Sequence, residues 1–192
     1  MPGRLSPAGM IQYRAAGIMP SVPILGAILA GGKSSRFGSD KAAALLAGKP
    51  LIEHAVAAMS AWCDTVVVTG RTQAPAPCLP DWPAPDMGPL AGLAAALRHA
   101  REAGYAAVLS CGVDSPGLPQ DLLALLGPAP VCLADQPVIG LWPASAFAAA
   151  ETILLGNGRH SMKALAEVIG ARQISLSAPL ANINYRDDLP GD

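Results

Sequence analysis

Residues 23–30, Pro-Ile-Leu-Gly-Ala-Ile-Leu-Ala, run without a polar side chain straight into Gly31-Gly32. An apolar run ending in paired glycines reads as a strand that feeds a backbone-lined turn. Lys33, Ser34, Ser35 and Arg36 come next, then Gly38 and the pair Asp40-Lys41. Adjacent glycines let consecutive N–H groups turn inward with no side chain in the way, a geometry that suits a polyphosphate. Arg36 and Lys41 supply compensating positive charge.

Two other glycine loops are excluded. Gly32-Lys33-Ser34 imitates the end of G-x-x-x-x-G-K-[ST], but the first glycine of that pattern would fall on Ala27. The dinucleotide fingerprint G-x-G-x-x-G is absent as well, because Gly31 and Gly32 are adjacent.

With 192 residues the chain is most simply one domain, long enough to bury a core. It is 52% hydrophobic and only 14% charged, which excludes a disordered polyampholyte. The formal net charge is −1 and no run of Lys and Arg exceeds two residues, so nucleic acid is not expected as a bulk electrostatic partner. Cys63, Cys78, Cys111 and Cys132 form no C-x-x-C pair and have no histidine at metal-ligand spacing. They read as reduced thiols of a cytoplasmic protein, with Cys111 packed at the end of an apolar strand.

Residues 15–32 carry no charge, and no acidic residue precedes Asp40. Pro20 and Pro23 would break a signal or membrane-spanning helix, and the apolar stretch leads directly into the glycine loop. No membrane association is expected. Residues 1–20 are expected to be a loose extension, with Met10 or Met19 as alternative starts, and residues 21–192 the domain.

Strand-like runs at 23–30, 65–69, 105–111, 129–133, 137–142 and 173–176 alternate with helical runs at 50–62, 89–103, 119–126, 144–155 and 160–169. Residues 71–86, with five prolines, read as an irregular loop. Such alternation predicts a three-layer, Rossmann-like α/β domain with a largely parallel sheet. Ligands of such sheets sit beyond the carboxyl ends of the strands. The glycine loop and Val113-Asp114-Ser115-Pro116 each follow a strand and therefore share one edge.

Asp114 is the second chemical element. A carboxylate at that edge can hold Mg²⁺ against a triphosphate, or can cap the turn made by Ser115-Pro116. The third is Gly88-Pro89-Leu90-Ala91-Gly92-Leu93. Gly92 inside a helix costs about 1 kcal/mol relative to alanine, so something is expected to approach it closely. Asp81 and Asp86 lie just upstream. Either could accept the paired N–H donors of a guanine edge or a ribose hydroxyl, and the spacing to Gly88 favours Asp81.

Residues 29–41 resemble the signature loop of the nucleoside-triphosphate transferases, L-A-G-G-x-S-x-R-x-G-x-D-K, at every position. Together with Asp81, Gly88–Leu93, Cys111–Pro116, Gln136–Trp142 and Asn182–Leu189, the order of motifs resembles molybdenum cofactor guanylyltransferases, the MobA-like family, over residues 23–189. Molybdopterin cytidylyltransferases share the loop, but usually lack aspartate before the lysine and lack G-P-L-A-G.

The resemblance implies transfer of GMP from Mg-GTP to the terminal phosphate of molybdopterin or Mo-molybdopterin, with release of pyrophosphate. It implies Arg36, Lys41 and Asp114 as catalytic residues, with Mg²⁺ on Asp114. GTP contacts are implied at Leu29, Ala30, Gly31, Gly32, Lys41, Thr69, Asp81 and Asp114. Thr69 stands where asparagine is common, and Gln136 where histidine is common, which leaves Gln136 no chemistry. Asn182 and Asn184 are implied contacts to the pterin, and Arg159 and Lys163 could meet its phosphate. Other molybdenum cofactor biosynthesis proteins and acceptor molybdoenzymes are further implied partners. The alternatives are a molybdopterin cytidylyltransferase, a sugar-phosphate nucleotidyltransferase and a non-catalytic nucleotide-binding module.

Overall fold

A computed structural model describes residues 23–31, 40–115, 117–176 and 180. In chain order its strands are β1 (Ile24–Leu29), β2 (Leu45–Leu46), β3 (Lys49–Pro50), β4 (Thr65–Thr69), β5 (Cys78–Leu79), β6 (Ala107–Gly112), β7 (Val131–Leu133), β8 (Gly140–Pro143) and β9 (Arg172–Ile174). The helices are α1 (Leu51–Ser60), α2 (Pro89–Ala103), α3 (Leu122–Leu126), α4 (Phe147–Leu155) and α5 (Met162–Val168). A seven-stranded sheet runs β5-β4-β1-β6-β8-β7-β9.

All six residues of β1 are buried, as expected of a central strand covered on both faces. Its side chains alternate. Leu25, Ala27 and Leu29 join a core with Leu90, Leu93 and Leu97 of α2 and Phe147 of α4. Ile24 and Ile28 join a second core with Ile52 and Met59 of α1 and Leu122 and Leu126 of α3. Two cores on opposite faces of one sheet give the three layers expected from the sequence. No described helix is long and apolar enough to cross a membrane.

Three local features depart from the expectation. The proline-rich segment 71–86 is not wholly irregular, since Cys78–Leu79 adds a parallel edge strand to β4. An edge strand pairs on one side only, so neighbouring residues without N–H groups are tolerated. The strand expected at 137–142 begins at Gly140 and runs antiparallel to both β6 and β7. Here Pro137 lacks a donor and Ile139 N–H bonds the Gln136 carbonyl at 2.9 Å, so a tight turn joins β7 to β8. Finally, β2 and β3 form a hairpin through Ala47 and Gly48, both at positive φ, which the sequence reading left unassigned.

A buried polar link joins the parallel part of the sheet to antiparallel β8. Ser110 Oγ donates to the Val138 carbonyl at 2.7 Å and accepts from Trp142 Nε1 at 2.9 Å. Both side chains are fully buried. Ser110→Ala strands the indole N–H away from water, so a loss of about 1–3 kcal/mol is expected in chemical denaturation. A loss below about 0.5 kcal/mol would show that the link adds nothing net.

Candidate active site

The parallel register levels the ends of four strands. Leu29 of β1 pairs with Thr69 of β4 and with Gly112 of β6, and Thr69 pairs with Leu79 of β5. Gly31, Gly70, Asp81 and Asp114 each follow that row by one or two residues. Residues up to 83 apart in sequence are thereby collected along one edge of the sheet.

The β1 and β4 turns touch through bare backbone. Gly70 has φ +77°, and a Cβ there would collide with Gly31 Cα and N. Ala30 N–H continues the pairing by donating to the Thr69 carbonyl at 3.0 Å. Only glycine at 70 meets both the left-handed φ and the close approach.

Between β4, β5 and α2 lies a cavity of about 220 Å³, lined in part by Leu29, Gly31, Thr69, Asp81, Gly92 and Asp114. Two polar atoms are buried there without a hydrogen-bond partner among the described residues, Thr69 Oγ1 and Asp81 Oδ1. The close approach expected at Gly92 is found. A Cβ at that position would collide with Thr69 Oγ1 and lie 3.4 Å from Asp81 Oδ1. Burial raises the Asp81 pKa, the Asp86 charge raises it further, and the Gly70 N–H bond lowers it. The Asp81 loop is anchored beside this cavity. Trp82 N–H donates to the Ala91 carbonyl at 3.2 Å, and its ring meets Phe147 edge-on at 5.2 Å, while Arg101 lies 4.7 Å over the far partner.

A second compartment, about 200 Å³, lies on the other side of β1 and includes Leu29, Ala30, Lys41, Val113 and Asp114. Lys41 opens a short 3₁₀ turn, and its Nζ lies 3.4 Å from Asp114 Oδ2. Asp114 Oδ1 folds back over Gly112, where a Cβ would collide with it. The described residues contain no cluster of three His, Cys, Asp or Glu side chains that could cage a metal. One half-buried carboxylate facing a cleft nevertheless fits Mg²⁺, which keeps several waters and completes its shell with substrate phosphates.

The third and largest compartment, about 540 Å³, shares Gly31 and Asp81 with the first and is otherwise lined by Gly70–Gln73, Pro80, Pro85 and Asp86. Its cation, Arg71, grips Asp40 with both terminal nitrogens, Nη1 to Oδ1 at 2.8 Å and Nη2 to Oδ2. This pair holds the Asp40 carboxyl below its usual range and raises the arginine. The sequence reading gave Arg71 no role. Its only local signal is a cation two residues beyond a strand end, and its partner lies 31 residues away.

Of the sequence-predicted site residues, Leu29, Ala30, Gly31, Lys41, Thr69, Asp81 and Asp114 converge on these three compartments. Gly32, Arg36, Asn182 and Asn184 lie outside the described residues, as do Pro116 and the expected extension at 1–20. Arg159 and Lys163 are exposed, and their segment reaches the head of α2, where the His160 carbonyl is 3.9 Å from a Cβ built on Gly88. Gln136 accepts from Ser115 Oγ at 3.2 Å.

The Cys111 thiol is fully buried, and burial, aided by the Asp114 charge, pushes its pKa to about 12. It is therefore a packing residue, as expected. His54 and His160 bond local carbonyls at 2.7 and 3.0 Å, outside the cleft.

The raised Asp81 pKa has a stability consequence. Its folded value lies above the unfolded one, so the folded state holds the proton more tightly, and stability falls as pH rises from the unfolded pKa through the folded pKa. Asp81→Asn removes a buried charge while retaining an acceptor for Gly70 N–H. It is expected to raise the melting temperature at pH 7 and to lose that advantage below about pH 3.8. An unchanged or lower melting temperature at pH 7 would contradict the burial penalty.

A family model described as the MobA-like NTP transferase domain matches residues 26–172. A molybdenum cofactor guanylyltransferase of Acidiphilium cryptum is 36% identical over 177 residues, covering 84% of this chain and 90% of that protein. Another protein of that name, from Rhizobium johnstonii, is 33% identical over 187 residues, covering 86% and 90%. The crystal structure of molybdopterin-guanine dinucleotide biosynthesis protein A from Archaeoglobus fulgidus superposes with a TM-score of 0.65 at 21% identity, covering 85% of this chain and 94% of that one. The match to that structure is one of fold, the sequence matches span most of both chains, and the protein belongs to the MobA-like NTP transferase family.

Proposed function

We propose that this protein is a molybdenum cofactor guanylyltransferase, transferring GMP from GTP to the terminal phosphate of molybdopterin and releasing pyrophosphate. One observation carries the reading. A single cleft along the sheet edge presents two buried polar atoms, on Thr69 and Asp81, that have no partner among the described residues, beside the Lys41–Asp114 pair. The first pair suits a base or ribose rich in donors. The second suits a triphosphate with its cation.

In this assignment the Asp81 carboxylate accepts the adjacent N–H donors of guanine, and Thr69 Oγ1, which can donate or accept, satisfies a second polar atom. Leu29, Ala30 and Gly31 lay backbone under the nucleotide. Lys41 offsets phosphate charge. A divalent cation such as Mg²⁺ on Asp114 would supply positive charge against the α-phosphate and the departing pyrophosphate. The acceptor oxygen is already anionic at neutral pH, so its in-line attack forms one P–O bond as the α–β bridge breaks, and no strong base is required. The protein contributes position and charge neutralisation.

Two measurements test this reading. In a thermal-shift panel at fixed Mg²⁺, GTP should raise the melting temperature more than CTP, ATP or UTP, because selective binding to the native state stabilises it. A larger shift with CTP would favour the cytidylyl alternative. Asp114→Asn should remain folded and bind GTP, yet form product and pyrophosphate about 100-fold more slowly or worse. Turnover near that of the unchanged protein would remove Asp114 from the metal role.

A further inference from the structure

Arg71 has no place in the reaction just described, yet the two described ends of the glycine loop both rest on it and its neighbour. Gly31 packs so closely against Gly70 that a Cβ on Gly70 would collide with its backbone, and a Cβ on Gly31 would lie 3.2 Å from Gly70 Cα. Asp40 is held by the Arg71 fork. We infer that Gly70-Arg71 is a clasp on Gly31 and Asp40, and that Arg71 acts through Asp40 as a positioning residue for Lys41. The inference rests on the reading that Lys41 meets the nucleotide phosphates.

The chain of contacts is short. Asp40 Oδ1 accepts from Arg71 Nη1 at 2.8 Å and from Ala42 N–H at 3.2 Å, so one carboxylate ties the β4 turn to the 3₁₀ turn that Lys41 opens. Ala42 is buried at 3% exposure, which fixes the other side of that turn. Lys41 then extends to Asp114, with only 12% of its side chain exposed. Rotation of the 3₁₀ turn would carry Nζ away from the cleft.

Stability is a poor explanation for the Arg71–Asp40 pair. The side chains are 26% and 48% exposed, and pairs that exposed add little to folding. What a bidentate arginine fork does supply is orientation, which a lysine at the same position cannot reproduce. A rival role, direct contact between Arg71 and the ligand, would have the guanidinium free for the cleft. Both of its terminal nitrogens are instead on Asp40.

The test is isothermal titration with Mg-GTP of the full chain and of Lys41→Ala, Arg71→Ala, Asp40→Asn and the Arg71→Ala/Lys41→Ala double variant. Arg71→Ala and Asp40→Asn should each weaken binding about tenfold, within the range for residues of one network, and Arg71→Ala should add nothing once Lys41 is gone. If the arginine change costs its full factor in the Lys41→Ala background, Arg71 acts independently of Lys41 and the clasp is wrong. Tighter GTP binding by Asp40→Asn also overturns it, because Asp40 would then be competing with the triphosphate for Arg71. Unchanged affinity in Lys41→Ala sinks the phosphate reading itself, a failure visible without any Arg71 variant. Should Arg71→Ala not fold, Arg71→Lys keeps the charge without the fork and is expected to show most of the same loss. Full affinity in that variant would refute the positional role.

Discussion

The level ending of β5, β4, β1 and β6 is the constraint on which every site residue depends. Parallel pairing fixes which residues lie abreast, and a slip of one residue would reverse each side chain's face. Leu29, Thr69, Leu79 and Gly112 stand in one row because Leu25, Ala27, Val67 and Val108 beneath them must face the α2 core. Helix α2 then brings Gly92 onto Thr69. The cavity is thus a by-product of core packing, and its polar lining is set by what the strands carry in the first residues past the row.

Charge in the cleft is arranged in opposed pairs. Among the described residues, Lys41 lies against Asp114 and Arg71 against Asp40, with Asp81 and Asp86 also at the cleft. These are two cations against four carboxylates, so under the proposed function a triphosphate would meet more negative charge than positive among the described residues, and binding as a complex with a divalent cation would resolve the mismatch near Asp114. At Asp81 the resolution is different. A carboxylate whose pKa is raised by burial would, under the proposed function, gain from N–H donors of a base, which stabilise the charged form.

Much of this was legible in the sequence because it is encoded locally. The apolar run into Gly31, the strand before Asp114 and the proline at the head of α2 each announce themselves within a few residues, and α2 spans Pro89–Ala103 as its periodicity predicts. Features that depend on distant partners were not legible. The edge strand Cys78–Leu79 is hidden by prolines whose missing donors matter only if both sides are paired. Antiparallel β8 follows from a turn bond, Ile139 to Gln136, that no periodicity reports. Between Asp81 and Asp86, spacing to Gly88 favours Asp81. The structure brings Asp81 alone of the two into the Gly92 compartment, though both border the larger cleft. Arg71 gives no signal of its own in the sequence because its partner, Asp40, lies 31 residues away.

Thr69 stands where the family resemblance implies asparagine, and Gly92 gives the threonine a physical account. An orphaned buried hydroxyl or carboxylate oxygen costs about 1–3 kcal/mol, and glycine in mid-helix about 1 more. Two polar atoms without a partner among the described residues and a helical glycine meet at one spot, where α2 meets β4. A longer amide at 69 would reach farther across the cavity and present separate donor and acceptor groups. Threonine presents one rotatable hydroxyl and leaves more room. Under the proposed function the burden of recognition would then shift toward Asp81, whose Oδ1, without a partner among the described residues, lies beside the same bare helix turn. Alanine at 92 would relieve the propensity cost but collide with the Thr69 hydroxyl, so it is contact with β4, and not the preference of the helix, that accounts for the glycine.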